Sequence, residues 1–385
     1  MKKLIVIIAT ILFAVACTEP GPAWPTKGGA GGRVIKVTSL ADSGPGTLRE
    51  ALEAEGPRII RFTVGGEIWI NTILQIKNPF ITIEGAKGPS PGITIMGDYL
   101  SIVTHDVIIR DIRIRSGARR FGSEPGGRDC LQIDGEHDRP TYNLLIENCS
   151  FAWAIDEVVN IWGKNCRDIV IRRCIIAEGL YNSIHPKGPH SAGLIVGPGI
   201  TNVLIEQNLF AHNLFRNPVV SSSVEALIAN NLMYNPVARG VHSYAHSGYE
   251  PAGVDVIGNS IIAGPNTIRF LKYIESEGLL PGTQIYYEDN IAVGTKSFDP
   301  TERPPNYGPD DPSPFVAQPC VTLPVMPKLI PAAEVEEVVI ANVGARVKDR
   351  DAVDLRIINE VKTRTGKMVD SPDDPRLMPD AVPVK

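Results

Sequence analysis

The chain has 385 residues, of which 21% are charged and 43% hydrophobic, and its formal net charge is −5. This is the composition of an ordinary globular protein, and the length allows two domains, although repetitive all-β folds often run longer as one unit. The negative charge and the lack of a basic tract with interleaved aromatic residues argue against nucleic acid as a partner. A polyanionic substrate is compatible with this composition, because a protein of negative net charge can contain a positively charged cleft.

The N-terminus has the features of an export signal. Two lysines precede an apolar run, residues 4–15, that is too short to span a bilayer. The run ends in Ala14-Val15-Ala16-Cys17, which resembles the lipobox of bacterial lipoproteins and predicts lipidation of Cys17, with ordinary signal cleavage near Ala16 as the alternative. Residues 1–16 are therefore interpreted as a signal peptide and residues 17–27 as a tether. The predicted location is the bacterial cell envelope or the medium, with membrane contact only through the lipid.

Five cysteines remain after Cys17, an odd number, so at least one thiol stays free if all pairs are intramolecular. Their spacing contains no CxxC and no Cys/His pattern of a zinc site.

A short strand motif recurs in the middle of the chain. Its copies are residues 145–151, 170–176, 204–210, 227–233, 255–261 and 286–292. Successive copies lie 25, 34, 23, 28 and 31 residues apart. Leucine-rich and propeller repeats keep a nearly constant period, whereas the coils of a parallel β-helix keep a short strand and vary the turns between strands. The motif therefore favours a parallel β-helix.

The fifth position of the motif is predicted to lie in the interior. It is asparagine in the last four copies, which predicts a ladder of side-chain amides; these residues are Asn208, Asn231, Asn259 and Asn290. Cys149 and Cys174 occupy the same position, so they should be stacked neighbours. A strand spacing of ~4.8 Å permits a disulfide there without demanding one, and buried free thiols are the preferred interpretation.

The two ends of the chain add further elements. Earlier strands are predicted at residues 34–37, 59–64, 68–70, 81–83 and 107–114. A capping-box pattern from Thr47 to Glu50 predicts a short helix that closes the open end of the solenoid. Residues 28–297 are assigned to the β-helix domain, and residues 298–385 to a Pro-rich segment packed on it, with one amphipathic helix at about 350–363. Isolated Trp and Tyr residues are interpreted as core or turn packing.

Charged residues stand before a second series of strands, one strand for each coil. In chain order they are Asp129, then Asp156 with Glu157, then His185, Lys187 and His190, then Arg216. Because coils stack, residues far apart in sequence should form one column. Two acidic coils beside two basic ones suit a divalent cation together with an anionic substrate, and calcium accepts several oxygens at ~2.3–2.6 Å. Each residue alone is more typical of a turn, so the prediction depends on the recurrence.

Ten segments, which follow one another along nearly all of the mature chain, resemble the same protein family. They are residues 28–33, 37–40, 44–51, 58–62, 149–157, 185–190, 212–218, 230–234, 351–356 and 370–372. They resemble bacterial pectate lyases of polysaccharide lyase family 1. The resemblance implies an all-β fold, a single-stranded right-handed parallel β-helix. It also implies a monomeric enzyme that cleaves polygalacturonate (pectate) by calcium-dependent β-elimination.

The same resemblance implies a calcium site. Asp129 and Asp156 are similar to the family's calcium carboxylates. Asn160 stands where many relatives have a further Asp, so the site has one charge fewer, and Glu157 is a candidate to compensate.

Residues for substrate are implied in the same way. Lys187 is similar to the lysine that holds a substrate carboxylate, and Arg216 to the arginine that acts as catalytic base. His190 and His212 are further candidates for substrate contact or proton transfer. Ser221 stands where some relatives have a second arginine. Adjacent cations disfavour the charged form of an arginine, so an alkaline optimum is expected.

Three other functions compete with this interpretation. A pectin lyase acting on methyl-esterified polymer would lack the calcium carboxylates, so Asp129 and Asp156 count against it. A glycosidase needs paired carboxylates, and the neighbours Asp156 and Glu157 would point oppositely on a strand. A non-catalytic polysaccharide-binding or surface β-helix stays open, because Ser221 and Asn160 depart from the family pattern.

Overall fold

The computed structural model describes residues 26–136, 139–268, 272–275, 278–294 and 313–378. The predicted signal peptide, the lipidation site Cys17 and most of the tether lie outside the described residues. The predicted boundary between the solenoid and the C-terminal segment, at residues 297–298, lies outside them as well.

Strands of three parallel sheets wind into a right-handed parallel β-helix, which confirms the predicted fold class. Sheet A contains β1 (Arg33–Val37), β2 (Arg58–Phe62), β5 (Ile81–Glu84), β8 (Val107–Arg110), β11 (Thr141–Glu147), β14 (Cys166–Arg172), β17 (Thr201–Glu206), β20 (Glu225–Ala229), β23 (Gly253–Ile257), β26 (Gln284–Glu288) and β28 (Phe315–Val316). Sheet B contains β3 (Gly66–Trp69), β6 (Ile93–Met96), β9 (Arg113–Arg115), β12 (Ser150–Ala152), β15 (Ile175–Ala177), β18 (Leu209–Ala211), β21 (Leu232–Tyr234), β24 (Ser260–Ile262) and β27 (Ile291–Val293). Sheet C contains β4 (Leu74–Ile76), β7 (Leu100–Ile102), β10 (Leu131–Asp134), β13 (Glu157–Trp162), β16 (Ala192–Val196), β19 (Val219–Val220), β22 (Arg239–Ser243) and β25 (Lys272–Glu275).

The recurring motif is one strand of sheet A, a tight turn and one strand of sheet B. The residue before the fifth position has a left-handed backbone, for example Asn148 with φ 50° and Gln207 with φ 52°. The same turn divides the single strand predicted at residues 107–114 into β8 and β9, because Asp111 takes φ 58°. Six strands were not predicted: β4, β6, β7, β22, β25 and β28. The inward positions carry mostly Ile, Val and Leu, which form one long buried core.

The interior asparagine ladder is present. The Nδ2 atom of Asn208 donates to Oδ1 of Asn231 at 3.0 Å, and Asn231 donates in the same way to Asn259 at 3.0 Å. Asn259 continues the ladder to Asn290 at 2.9 Å. On the other side, Oδ1 of Asn208 accepts the backbone N–H of Cys174 at 2.9 Å. The ladder satisfies polar backbone groups at bends that no strand pairing reaches. Cys149 and Cys174 are buried free thiols, as predicted.

Helix α1 (Leu48–Glu53) packs its apolar side on the first coils, as the capping box predicted. The hydroxyl of Thr47 accepts the N–H of Glu50, and the Glu50 carboxylate accepts the N–H of Gly46 at 2.6 Å. Leu48 and Leu52 are buried in the main core. The helix therefore covers apolar surface that the first coil would leave exposed.

The C-terminal segment packs α2 (Val335–Asn342) and α3 (Ala352–Thr363) against sheet B. Helix α3 matches the predicted amphipathic helix, whereas α2 was not predicted. The buried carboxylate of Asp354 on α3 faces Arg113 and Arg115 on β9, at 3.4 and 3.3 Å. Short 3₁₀ helices lie at Gly85–Lys87, Pro125–Gly127, Ala332–Glu334 and Pro375–Leu377. Among the described residues, no helix has both the length and the apolar character needed to cross a membrane.

Replacing a central amide of the ladder tests the register of the coils. Asn231→Leu removes the acceptor for Asn208 and the donor for Asn259, and it leaves buried amide groups without partners. Each unsatisfied group costs ~1–3 kcal/mol, so the melting temperature should fall by several degrees in a thermal unfolding scan. Asn359→Leu on the exposed side of α3 is the matched control and should change little. Equal melting temperatures for the two variants would mean that the ladder does not contribute as described.

Candidate active site

Strand register on sheet C brings charged residues of successive coils together. Leu131 on β10 pairs with Val159 on β13, so Asp129, two residues earlier, lies opposite Glu157. Glu157 pairs in turn with Ala192 on β16. The next coil contributes Arg216, whose carbonyl oxygen accepts the N–H of Leu194 at 2.7 Å. The predicted column of charged residues therefore exists at the start of these strands.

Asp129, on the first of these coils, is a fully buried carboxylate. Its Oδ1 accepts the N–H of Glu157 at 3.0 Å, and its Oδ2 accepts Nδ2 of Asn160 at 3.1 Å. Burial raises the pKa of Asp129 well above its usual value, and the negative charge of Asp156 acts in the same direction. The Oδ1 atom of Asn160 is also buried and lacks a hydrogen-bond partner among the described residues. These groups would be stabilised by a bound cation.

Three carboxylates can share such a cation. Asp129, Asp156 and Glu157 each offer an oxygen, and these oxygens lie within 4.8 Å of one another. The expectation that Asp156 and Glu157 point oppositely is wrong, because Asp156 lies in the bend before β13. Oxygens around one calcium ion at ~2.3–2.6 Å are separated by distances of this order. The donor set consists of carboxylates with one amide oxygen nearby, which is the chemistry that calcium prefers. The predicted ligands therefore fit calcium.

Two histidines hold the outer side of Asp156. Its Oδ1 lies 2.7 Å from Nε2 of His190 and 3.5 Å from Nε2 of His185. The two imidazole rings stack with centroids 4.0 Å apart. Nδ1 of His185 accepts the N–H of Lys187 at 3.2 Å, so in the neutral ring the proton is on Nε2 and faces Asp156. This arrangement orients a carboxylate and is unsuited to a metal ion bound by both rings.

The lysine predicted to hold substrate lies at the tip of a closed loop. The N–H of His190 donates to the carbonyl of Tyr181 at 2.8 Å, and the N–H of Gly188 donates to the carbonyl of His185 at 3.0 Å. Lys187 is exposed between these bonds. The same loop therefore carries the two histidines at Asp156 and a cation that is accessible to an anionic ligand.

Arg216 reaches the carboxylate cluster from the opposite side. It has φ 61° and precedes a cis peptide bond between Asn217 and Pro218. Its guanidinium contacts the carboxylate of Glu157 and lies 4.9 Å from the ring centroid of Phe215. Burial lowers the pKa of Arg216, although nearby acidic groups oppose this shift.

His212 lies apart from this cluster. It is fully buried under helix α3, where Nε2 is 3.1 Å from a carboxylate oxygen of Glu360. Its Nδ1 is 2.9 Å from Nδ2 of Asn235. The structure thus brings together Asp129, Asp156, Asn160, Glu157, His190 and Arg216. It places Lys187 at the exposed tip of the neighbouring loop and His212 against the C-terminal helix.

Sequence reasoning missed two neighbours on the next coil. Val219 pairs with His242 on β22, and the side-chain amide of Asn217, next to Arg216, donates to the carbonyl of Arg239 at 3.2 Å. Burial lowers the pKa of His242 to about 3, and the cations of Arg239 and Arg216 contribute in that order. Charge in the sequence indicates this continuation, because Arg239 and His242 stand on the strand of the next coil.

Known proteins resemble this chain in sequence and in fold. No protein-family model matches the chain. Curated relatives include the probable pectate lyase C of Aspergillus flavus, 33% identical over 313 residues, which are 76% of this chain and 69% of the relative. The protein of the same name from Aspergillus fumigatus is 31% identical over 346 residues, which are 87% of this chain and 74% of the relative. These relatives are fungal, whereas the sequence motifs had suggested bacterial members.

Solved structures show the same fold at low identity. The cedar pollen allergen Jun a 1 matches with a TM-score of 0.63 and 15% identity, over 83% of this chain and 90% of that one. Pectate lyase Bsp165PelA from Bacillus sp. N165, in complex with trigalacturonate, matches with a TM-score of 0.58 and 15% identity, over 84% and 96%. Sequence identity to the curated relatives and agreement in fold lead to one conclusion: the chain belongs to the pectate lyase family.

Proposed function

We propose that this chain is a pectate lyase that cleaves α-1,4-polygalacturonate by calcium-dependent β-elimination and gives unsaturated oligogalacturonides. The observation that carries the proposal is the meeting of three carboxylates with Arg216 on one face of sheet C. Membership in the pectate lyase family supports the reaction, and the trigalacturonate complex of a protein with the same fold supports the substrate class.

Calcium would be held by Asp129, Asp156 and Glu157, with the amide oxygen of Asn160 as a further ligand. When bound, the ion would neutralise the substrate carboxylate and so acidify the adjacent C5 proton. Asn160 in place of a carboxylate lowers the negative charge of the site, so we expect weaker affinity than in relatives with a further Asp. His185 and His190 keep Asp156 in place by contact with its outer oxygen.

Arg216 would remove the C5 proton of a galacturonate unit. The electron pair of the C5–H bond forms the C4–C5 double bond, the C4–O4 bond breaks, and solvent supplies a proton to the departing oxygen. Lys187 would neutralise the substrate carboxylate from the loop tip and stabilise the charge that develops on it. A base works in its neutral form, and burial lowers the pKa of Arg216, so activity should rise with pH into the alkaline range.

We further propose that the protein is an exported monomer, anchored through lipid on Cys17 in the bacterial cell envelope. The support for export and for the anchor is the sequence of residues 1–17 alone, and the monomeric state is what the family resemblance implies. Labelled palmitate should enter the wild type but not Cys17→Ser, and unmodified wild type in the medium would indicate plain secretion instead.

Substitution of the proposed base tests the mechanism. Arg216→Lys keeps a positive charge but loses the planar fork and its reach, so kcat on polygalacturonate should fall at least ~10²-fold at nearly constant KM. The rate is measured from the ultraviolet absorbance of the unsaturated product. Arg33→Lys, an exposed arginine on β1 at the N-terminal end of sheet A, is the matched control and should keep kcat.

The same assay separates the rival functions. EGTA should abolish wild-type cleavage of polygalacturonate. Cleavage of methyl-esterified polymer that survives EGTA would identify a pectin lyase, and no cleavage of either polymer would identify a non-catalytic binding protein. A rise in KM with unchanged kcat in Arg216→Lys would make Arg216 a binding residue.

Asp129→Asn tests the buried carboxylate as a calcium ligand. Because the pKa of Asp129 is raised in the folded protein, metal-free wild type loses stability as pH rises above about 4, the unfolded value. In EGTA at pH 8 the neutral variant should therefore melt higher than the wild type, and the difference should vanish near pH 4. Calcium should raise the melting temperature of the wild type but not of the variant.

The half-exposed Asp134 on β10 gives a matched control. Asp134→Asn should show neither the pH-dependent gain nor the loss of calcium response. Calcium stabilisation of Asp129→Asn equal to that of the wild type would place the ion elsewhere.

A further inference from the structure

A second concave site lies on sheet C beyond the carboxylate cluster. It is a pocket of about 400 Å³ at the carboxyl ends of the strands. The lining includes the aromatic rings of Trp162 and Tyr249 and the polar side chains of Glu136, Lys164 and Asn165. The volume falls in the range of natural small-ligand pockets.

The pocket is continuous with the face that carries the calcium ligands. Asn160 and Trp162 are two residues apart on β13, so both point to the outer side of sheet C, roughly 6.6 Å apart along the strand. Asn160 bonds to Asp129, which ties one end of this short path to the carboxylate cluster. A polymer that crosses the sheet can therefore contact both places.

Two glycines of the next coil make room for the aromatic rings. A Cβ atom on Gly197 would lie 2.6 Å from the indole of Trp162, a separation that real side chains do not adopt. A Cβ atom on Gly199 would lie 3.4 Å from the ring of Tyr249 and 3.3 Å from Cβ of Lys164. Gly199 also has φ 80°, which disfavours other residues. The turn after β16 therefore has no side chains at the two positions that contact these rings.

The aromatic residues form a half-exposed cluster and lie outside the buried apolar cores of the described chain. The ring of His246 contacts both in edge-to-face geometry, with its centroid 6.0 Å from that of Trp162 and 5.5 Å from that of Tyr249. Ligand sites often combine a partly accessible aromatic ring with nearby polar groups. The ring covers an apolar face of the ligand, and the polar groups bind the hydroxyls at the edge of the ligand.

We propose that this pocket binds one pyranose ring of the pectic polymer, as an accessory sugar subsite beyond the unit held at the carboxylate cluster. The electron-rich face of Trp162 covers the C–H face of the ring, since aromatic faces attract weakly positive hydrogens. Glu136 and Asn165 meet its hydroxyls, and Lys164 suits the carboxylate of a galacturonate. The choice of a pectic sugar rests on the proposed function, whereas binding at the pocket does not require cleavage.

Calorimetry of the full-length protein with hexagalacturonate in EGTA tests this subsite, because removing calcium suppresses cleavage. Trp162→Ala should weaken the dissociation constant by about five- to tenfold, and Trp162→Phe should stay within about twofold of the wild type. Trp69→Ala is the matched control, since Trp69 is also half-exposed but lies outside the pocket, beside Arg376. If Trp162→Ala melts much lower than the wild type, Tyr249→Ala replaces it, with an expected loss of about threefold.

Equal affinity of wild type and Trp162→Ala, or an equal loss in Trp69→Ala, would overturn the subsite. So would a wild type that does not bind hexagalacturonate. A wild type that binds hexagalacturonate through Trp162 but forms no unsaturated product with calcium would leave the subsite standing and refute the proposed lyase activity.

Discussion

Backbone hydrogen bonds between successive coils fix which residues of sheet C lie side by side. In a parallel sheet each strand is held in one register with its neighbours, and a shift by a single residue would turn every side chain to the other face. Asp129 and Glu157 meet because Leu131 pairs with Val159. Arg216 joins them because its neighbour Phe215 pairs with Ala192, the partner of Glu157. No local interaction could bring together residues so far apart in sequence, so the site exists only as long as this register holds.

That register concentrates negative charge in a dry environment. Desolvation of Asp129 disfavours its charged form, and Asp156 beside it increases the penalty. The surrounding contacts offset part of this cost, because Asp129 accepts two hydrogen bonds and Glu157 contacts Arg216. His185 and His190 limit the freedom of Asp156. The remaining imbalance is what a divalent cation would relieve, so under the proposed function the strain of the metal-free site is what would favour binding of calcium.

Much of the architecture could be predicted from the sequence, because solenoid coils repeat their constraints. The fifth position of the motif identified the ladder from Asn208 to Asn290, since a polar residue recurring at a buried bend has few other uses. Short strands such as β4 and β7 were missed because three residues carry too little periodicity to stand out. Helix α2 was missed because it lacks a capping side chain. The column at the start of sheet C was predicted as well, but not the contact of Arg216 with Glu157 or the stacking of His185 on His190, which depend on loop conformations.

His212 shows most clearly what the sequence alone could not predict. Its sequence neighbourhood matches the family motif, yet its partner is Glu360 on a helix about 150 residues away, which no local pattern could indicate.

Calorimetric titration of calcium into the metal-free protein tests most directly whether the carboxylate cluster is the calcium site on which the proposed function depends. The wild type should bind calcium at this cluster, and Asp156→Ala should lose at least ~10-fold in affinity, because it removes one of three shared carboxylates. The far-UV circular dichroism of the variant should match that of the wild type, since Asp156 lies in a loop and supports no strand. Calcium affinity that is unchanged in a folded Asp156→Ala protein would contradict the account.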